Sequence, residues 1–282
     1  MYDIAASPKD TLKIKVFNQL CQFVHQRFSI RLTPEKKHMV EGRLRKRLPK
    51  SPCKDLDDYV KWSLSEEGED ELIHLIDALT TNKTDFFREP KHFDYMSETL
   101  LQSFAGRGIG THTPLHVWSS ACSSGAEPYT IAMVLREWSR QKKQINYHIT
   151  ASDISVSMLQ KAKKAVYTEE EIAGIPSYYR QRYLLRSKSN PSLVKIEKPL
   201  RNVVQFKMVN LNDNFYDIAA PLHLIFCRNV LIYFDKTSKA QIIERFYRKL
   251  SPKGYLMIGH SETINDVPSQ FKQVAPTIYQ RD

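Results

Sequence analysis

The sequence predicts an α/β chain in two parts: a small helical bundle over residues 1–90, then a doubly wound parallel sheet over 91–282. Three observations predict it. Apolar residues recur at helical spacing through the first part. Short apolar runs alternate with helical patterns through the second. Near the start of the second part an apolar run, Leu115 to Trp118, passes through the small residues Ser119-Ser120-Ala121-Cys122-Ser123-Ser124-Gly125 into a helical face of Ile131, Leu135 and Trp138.

In the bundle, Val16, Phe17, Leu20, Phe23, Val24 and Phe28 form one stripe. Thr33-Pro34 supplies a capping hydroxyl and a proline at the first helical position, so a second helix is expected to about Leu48, stopping before Pro49. A third covers Leu56 to Leu64, and a fourth carries Leu72, Ile73, Leu75, Ile76 and Leu79. Residues 31–54 hold nine Lys/Arg against two Glu, and 55–71 hold eight Asp/Glu against one Lys. On the second helix Lys36, Arg43, Lys46 and Arg47 fall on one face at about 100° per residue. Val40, Leu44 and Leu48 fall on another and are expected to pack inward. The basic face is either solvated and neutralised by the acidic segment, or a docking surface for an acidic helix.

From about residue 91 strands are expected near 115–119, 147–152, 203–209, 222–227, 254–260 and 275–280, with helices near 127–140, 155–165 and 237–250. The last strand is expected to be antiparallel. The interval 178–201 is too long for a simple helix and reads as an inserted β-unit, with seven Lys/Arg and only Glu197 acidic.

The chain is 41% hydrophobic over 282 residues, enough for a packed core. No apolar run approaches the roughly 20 residues of a membrane span. Met1-Tyr2-Asp3-Ile4 opens no basic-then-apolar leader, so a cytoplasmic protein without membrane insertion is expected. Cys21, Cys53, Cys122 and Cys227 have neither pairing nor metal-ligand spacing, and are read as free thiols in a reducing compartment with no metal. The net charge of +11 suits nucleic acid, an anionic membrane or an acidic protein surface.

A turn of small residues lets something approach its backbone closely. Asp153 follows Glu127 by 26 residues and closes the run Tyr147-His148-Ile149-Thr150-Ala151-Ser152-Asp153. A carboxylate at the end of a second strand is where such folds hold a ribose diol. The G-x-G-x-x-G fingerprint is absent and only Gly125 is present, which argues against NAD and FAD. A cofactor with ribose but no phosphate fits, such as S-adenosylmethionine (SAM).

Further blocks are Thr81-Asn82-Lys83-Thr84-Asp85-Phe86-Phe87-Arg88-Glu89, Asn210-Leu211, Leu224-Ile225-Phe226-Cys227-Arg228-Asn229-Val230-Leu231-Ile232-Tyr233-Phe234-Asp235, and Leu250-Ser251-Pro252-Lys253-Gly254 through Gly259-His260-Ser261-Glu262. In this order, from about residue 12 to the last residue, they resemble the CheR-type chemotaxis receptor methyltransferases. The resemblance implies a Rossmann-like SAM-dependent methyltransferase domain. It also implies methyl transfer from SAM to glutamate side chains of bacterial chemoreceptors, leaving S-adenosylhomocysteine and tuning chemotactic adaptation.

The resemblance further implies that Asn82, Thr84, Arg88, Gly125, Glu127, Asp153, Asn210, Leu211, Asn229 and Val230 bind the cofactor. By pattern alone, Asp153 also reads as a helix cap, Glu127 as an acid favoured by a helix dipole, Asn82 or Thr84 as a cap, and Gly125 as turn chemistry. Arg88 and Tyr233 are the catalytic candidates. Arg88 aligns either an acceptor carboxylate or the methionine carboxylate of the cofactor; Tyr233 either orients the acceptor or is a half-buried core aromatic. His260 is read as part of a structural polar network. Because the family's substrates are glutamate-rich helices, the resemblance favours receptor docking for Lys36, Arg43, Lys46 and Arg47. In some members the β-subdomain docks a receptor's C-terminal peptide, often through a glycine-containing loop. Ser187 to Ser192 has no glycine, which speaks against tethering.

A glutamate carboxylate is ionised at neutral pH, so its methylation requires no general base. Alignment and water exclusion suffice, and no Ser-His-Asp triad or paired-acid motif is found. A nucleic-acid methyltransferase would typically carry N/D-P-P-Y or a catalytic cysteine beside proline, and both are missing. A SAM sensor without turnover is the third reading. No nucleic-acid partner is expected, and nothing demands more than a monomer.

Overall fold

The computed structural model describes residues 11–219 and 221–282. Met1–Ile4, on which the reading of the leader rests, lie outside the described residues.

The bundle forms as its stripes predict. Helix α1 (Ile14–Phe28) buries Val16, Phe17, Leu20 and Val24. They pack on Val40 and Leu44 of α2 (Lys37–Leu44), Leu56, Tyr59 and Val60 of α3 (Leu56–Ser63), and Leu75, Ile76 and Leu79 of α4 (Glu69–Leu79). Asp55 caps α3 by accepting from the Asp58 N–H at 2.9 Å. Glu69, Asp70 and Glu71 open α4, where its dipole favours acids.

The second helix differs from expectation. It opens as a 3₁₀ turn (Pro34–Lys36), and its α-helical part ends at Leu44. Pro49 sits inside a further 3₁₀ turn, Leu48–Lys50, near the start of which its missing N–H costs nothing. Turns of three residues break the 100° phase, and the four basic residues do not share a solvated face. Arg43 Nη1 donates to the carbonyls of Ala78, Leu79 and Thr80 at 3.2, 2.9 and 2.9 Å, serving groups that the end of α4 leaves unpaired. Arg47 pairs with buried Glu71 at 2.8 Å, and Tyr59 donates to the same carboxylate at 2.7 Å. Lys46 is exposed and Lys36 half-buried.

After an irregular segment, α5 (Lys91–Tyr95), a π-helical turn (Met96–Leu100) and α6 (Leu101–Gly106) run on as one helical stretch that the strand–helix pattern passes over. The sheet follows: β1 (Leu115–Ser120), α7 (Ala126–Gln141), β2 (Tyr147–Asp153), α8 (Val156–Lys164), then, beyond an insertion, β6 (Val204–Met208), β7 (Leu222–Cys227), α11 (Lys236–Lys249), β8 (Leu250–Ile258), β9 (Lys272–Ala275) and β10 (Ile278–Gln280). Strand order is β6-β2-β1-β7-β8-β10-β9; β10 alone runs against the others, so its pairings with β8 and β9 are antiparallel and the rest are parallel. The expected last strand is thus the hairpin β9–β10, turned at Pro276-Thr277. Along β1, Val117 packs into one core layer and Trp118 into the other, as a sheet covered on both faces requires. Ser120 is level with Ser152 and Cys227, so β1, β2 and β7 end together on one edge.

The insertion begins earlier than 178. It is a three-stranded antiparallel sheet, β3 (Val166–Thr168), β5 (Leu193–Ile196) and β4 (Leu184–Arg186) in that order, with α9 (Ser177–Tyr183) and α10 (Lys198–Asn202) beside it. A three-residue strand directly after a helix has too little pattern to be read. Glu137 of α7 anchors the unit by accepting from the hydroxyls of Tyr178 and Tyr183 and pairing with Arg182.

Candidate active site

The turn after β1 is held in unusual backbone. Ala121, Ser123 and Gly125 have φ of 59°, 49° and 91°. Such a conformation costs a side chain of order 1–3 kcal/mol, so the surroundings must fix it. The Cys122 N–H donates to Ser152 O at 2.8 Å, the Ser123 N–H to Asp153 Oδ2 at 2.7 Å, and Ser123 Oγ to Asn82 O at 2.7 Å. Gly125 serves another close approach than the one expected. A Cβ there would stand 2.9 Å from Ala162 Cβ and 3.1 Å from the Tyr167 hydroxyl. It lets α7 and α8 close together and does not line the cavity.

Asp153 ends β2, only 7% exposed. Its second oxygen accepts from the Ser155 N–H at 2.9 Å. Burial pushes its carboxyl upward, and the N–H groups of Ser155, Ser123 and Ile154 oppose the shift. Each oxygen can accept a further hydrogen bond, and Asp153 lines the cavity.

Glu127, in the first turn of α7, accepts from Ser119 Oγ at 2.6 Å and from Arg228 Nη1 at 3.1 Å. Arg228 follows β7 with its side chain 3% exposed. Its Nη2 reaches Glu89 Oε2 at 3.0 Å and the carbonyl of Arg88, and its guanidinium lies 5.4 Å from the Phe93 ring centre. Burial raises Glu127 against the pull of Arg228. Burial also works to raise Glu89, but Arg228, Asn229 and the His260 backbone outweigh it and its pKa falls. Glu262 fixes the neighbouring turn, accepting from the N–H groups of Gly259, Asn229 and Ile232.

The segment from Thr81 to Glu89 is strapped across the strand ends. Phe86 is buried edge-on against Tyr167, and the Phe87 N–H donates to Thr130 Oγ1 at 3.1 Å. Arg88 donates to Lys83 O at 3.2 Å. Asn210 Oδ1 accepts from the Asn212 N–H, while its Nδ2 donates to Arg27 O at 3.0 Å in the bundle. Ser29 Oγ bonds Asn212 Oδ1 at 2.6 Å, and His25 meets Asp235 at 3.0 Å. This polar seam sets the bundle over the sheet edge as a roof.

Beneath the roof is a cleft of about 1240 Å³, open mouth included. Asn82, Thr84, Arg88, Glu127, Asp153, Asn210, Leu211, Asn229, Val230 and Tyr233 all line it, with Lys36 and Met39 from the bundle. The Lys36 ammonium stands 5.9 Å from the Tyr233 ring centre. Of the predicted residues, Gly125, Arg43, Lys46 and Arg47 do not line it. Sequence reasoning gave no role to Arg228, Ser123 or Ser119. The available signal for Arg228 was a lone charge inside the apolar block Leu224 to Phe234.

A sheet wound in this order, with β10 reversed among parallel strands and its cleft at the ends of β1, β2 and β7, is that of a SAM-dependent methyltransferase. The chain belongs to the CheR methyltransferase family: the family's SAM binding domain matches residues 82–280, and its all-alpha domain matches residues 15–80. The chemotaxis protein methyltransferase of Borreliella burgdorferi is 35% identical over 94% of this chain and 93% of its own length. Those of Salmonella typhimurium and Escherichia coli are each 36% identical over 93% of this chain, spanning 88% and 89% of their own lengths.

Proposed function

We propose that this enzyme methylates glutamate side chains on the cytoplasmic helices of chemoreceptors. The observation that carries the reading is the cleft itself, lined by the carboxylates of Asp153 and Glu127 together with Arg88, Lys36 and Tyr233. The relatives' names supply the chemotactic setting.

The residues fit the cofactor. Asp153 has lone pairs free for the ribose hydroxyls, and Glu127, held by Ser119 and Arg228, is an anion for the methionine ammonium. Asn82 and Thr84 enclose it from the strap, and Asn210, Leu211, Asn229 and Val230 from the strand ends. Bound there, SAM supplies a methyl group on a positively charged sulfonium.

An acceptor carboxylate arrives already ionised, so the chain supplies orientation and dryness instead of a base. Arg88 and Lys36 attract it, and the Tyr233 hydroxyl orients it by donating a hydrogen bond. Lys46 extends the positive field toward an acidic helix; Arg43 and Arg47, spent on internal carbonyls and Glu71, hold the bundle's shape. The enzyme acts as a cytoplasmic monomer without nucleic acid.

The test is transfer of labelled methyl from SAM to chemoreceptor-containing membranes, followed by alkali. Volatile methanol supports a carboxyl ester. Alkali-stable label, or none despite SAM binding, overturns the reading.

A further inference from the structure

Behind the cleft lies a group of side chains that the methyl-transfer reading does not use. Glu89, His92 and His260 bring one ligand atom each within 4.8 Å of the others. His92 Nδ1 is 3.6 Å from Glu89 Oε2, and His260 Nε2 is 3.9 Å from the same oxygen. The two imidazoles meet edge to face with centres 5.1 Å apart. None of the three lines the cleft. The histidines are too far apart in sequence for any ligand spacing to reveal them.

The hydrogen bonds of His92 fix its tautomer. The ring is 2% exposed, and its Nε2 lies 2.8 Å from Thr277 Oγ1. That hydroxyl donates its own proton to Pro276 O at 2.7 Å, so it must accept from His92. The ring proton is therefore on Nε2, and Nδ1 carries a bare lone pair. Burial, reinforced by the Arg228 charge, keeps the ring neutral with its pKa pushed down to about 4. Nδ1 is buried and has no hydrogen-bond partner. An unpaired buried acceptor is costly unless something occupies it. A histidine whose outer nitrogen is held by a hydroxyl while the inner one points at a second imidazole and a carboxylate is arranged as a metal ligand.

We propose that Glu89 Oε2, His92 Nδ1 and His260 Nε2 form a site for a divalent transition metal, Zn²⁺ in particular, that opposes cofactor binding. Two imidazoles and one carboxylate are a zinc donor set that leaves the fourth position to water. Ligand atoms around a tetrahedral zinc stand about 3.3 Å apart, so these need only draw inward. Exposed His260 gives the route of entry, its side chain 49% accessible. The inward movement has a consequence. Glu89 Oε2 is also the acceptor of Arg228 Nη2, and Glu89 Oε1 accepts from Asn229 Nδ2 at 3.2 Å. Zinc draws the carboxylate from Arg228, which Glu127 then no longer shares with Glu89, so the Arg228 charge falls more fully on that cleft-lining anion. Zinc and SAM thereby weaken each other's binding, reciprocally. The inference concerns cofactor binding and is independent of the methyl acceptor.

The test titrates Zn²⁺ into the full chain by calorimetry, and Co²⁺ with absorption as the readout. It is repeated with His260→Ala, at a half-exposed position, and with Thr277→Ala, which keeps all three ligands but frees the tautomer. One zinc per chain is expected, bound at least tenfold more weakly by H260A and about tenfold more weakly by T277A. SAM affinity should fall several-fold on adding zinc to the wild type and stay unchanged in H260A. Absence of zinc binding, or equal binding by wild type and H260A, overturns the site. Zinc bound with SAM affinity unmoved overturns the antagonism.

Discussion

Arg228 Nη1 donates to Glu127 Oε2 at 3.1 Å, across 101 positions of sequence, with both side chains almost wholly withdrawn from water. Removing one partner strands the other as an uncompensated charge. Arg228→Ala leaves Glu127 and Glu89 without their shared countercharge and is expected to lower stability by about 3–5 kcal/mol, read from urea unfolding. Arg228→Lys recovers only part, because one ammonium cannot span two carboxylates held by two separate nitrogens.

Gly125 does not line the cleft and is nevertheless expected to be intolerant. Gly125→Ala places a Cβ at φ 91° and 2.9 Å from Ala162 Cβ. The left-handed backbone and the overlap together are expected to cost about 2–4 kcal/mol. The neighbouring Ser123 N–H leaves Asp153, so SAM affinity measured by calorimetry falls along with the melting temperature.

Asp153→Asn separates charge from shape. Both carboxylate oxygens accept backbone N–H groups, at 2.7 Å from Ser123 and 2.9 Å from Ser155. An amide turns its NH₂ toward one of those donors and leaves it unsatisfied, at about 1–3 kcal/mol. SAM affinity is expected to drop at least tenfold. Unchanged affinity would remove Asp153 from the cofactor site.

The inserted unit has an acid-sensitive anchor. Burial alone would raise Glu137, but the hydroxyls of Tyr178 and Tyr183 and the charges of Arg182 and Arg140 outweigh it and hold the carboxyl below its ordinary 4.5. A carboxyl depressed by folding contributes stability above its unfolded value, and that contribution is lost as pH falls through the folded one. The melting temperature of Glu137→Gln is therefore expected to lie below wild type at pH 7, with the gap closing below pH 4.5. A gap that is constant with pH would refute the anchor.

Five sheet strands and the long helices were legible because each has a period and a length that one face of a core dictates. The pieces that escaped lack both. β3 has three residues, and the hairpin β9–β10 is divided only by Pro276-Thr277. The basic face of α2 was misread because a helical phase of 100° does not survive the flanking 3₁₀ turns, and sequence cannot say that Arg43 meets the carbonyls that end α4. At the site, Asp153 was picked out by its place after a strand and Glu127 by the family resemblance, and both line the cleft. Arg228, which binds Glu127 to Glu89, was not, because its partners come from three separate segments.

The seam between Arg27, Ser29 and His25 on one side and Asn210, Asn212 and Asp235 on the other has a kinetic meaning. It consists of a few hydrogen bonds, mostly at the surface, each worth about 1 kcal/mol. It opens far more readily than either core unfolds. Amide hydrogens along this line are therefore expected to exchange before those of either core.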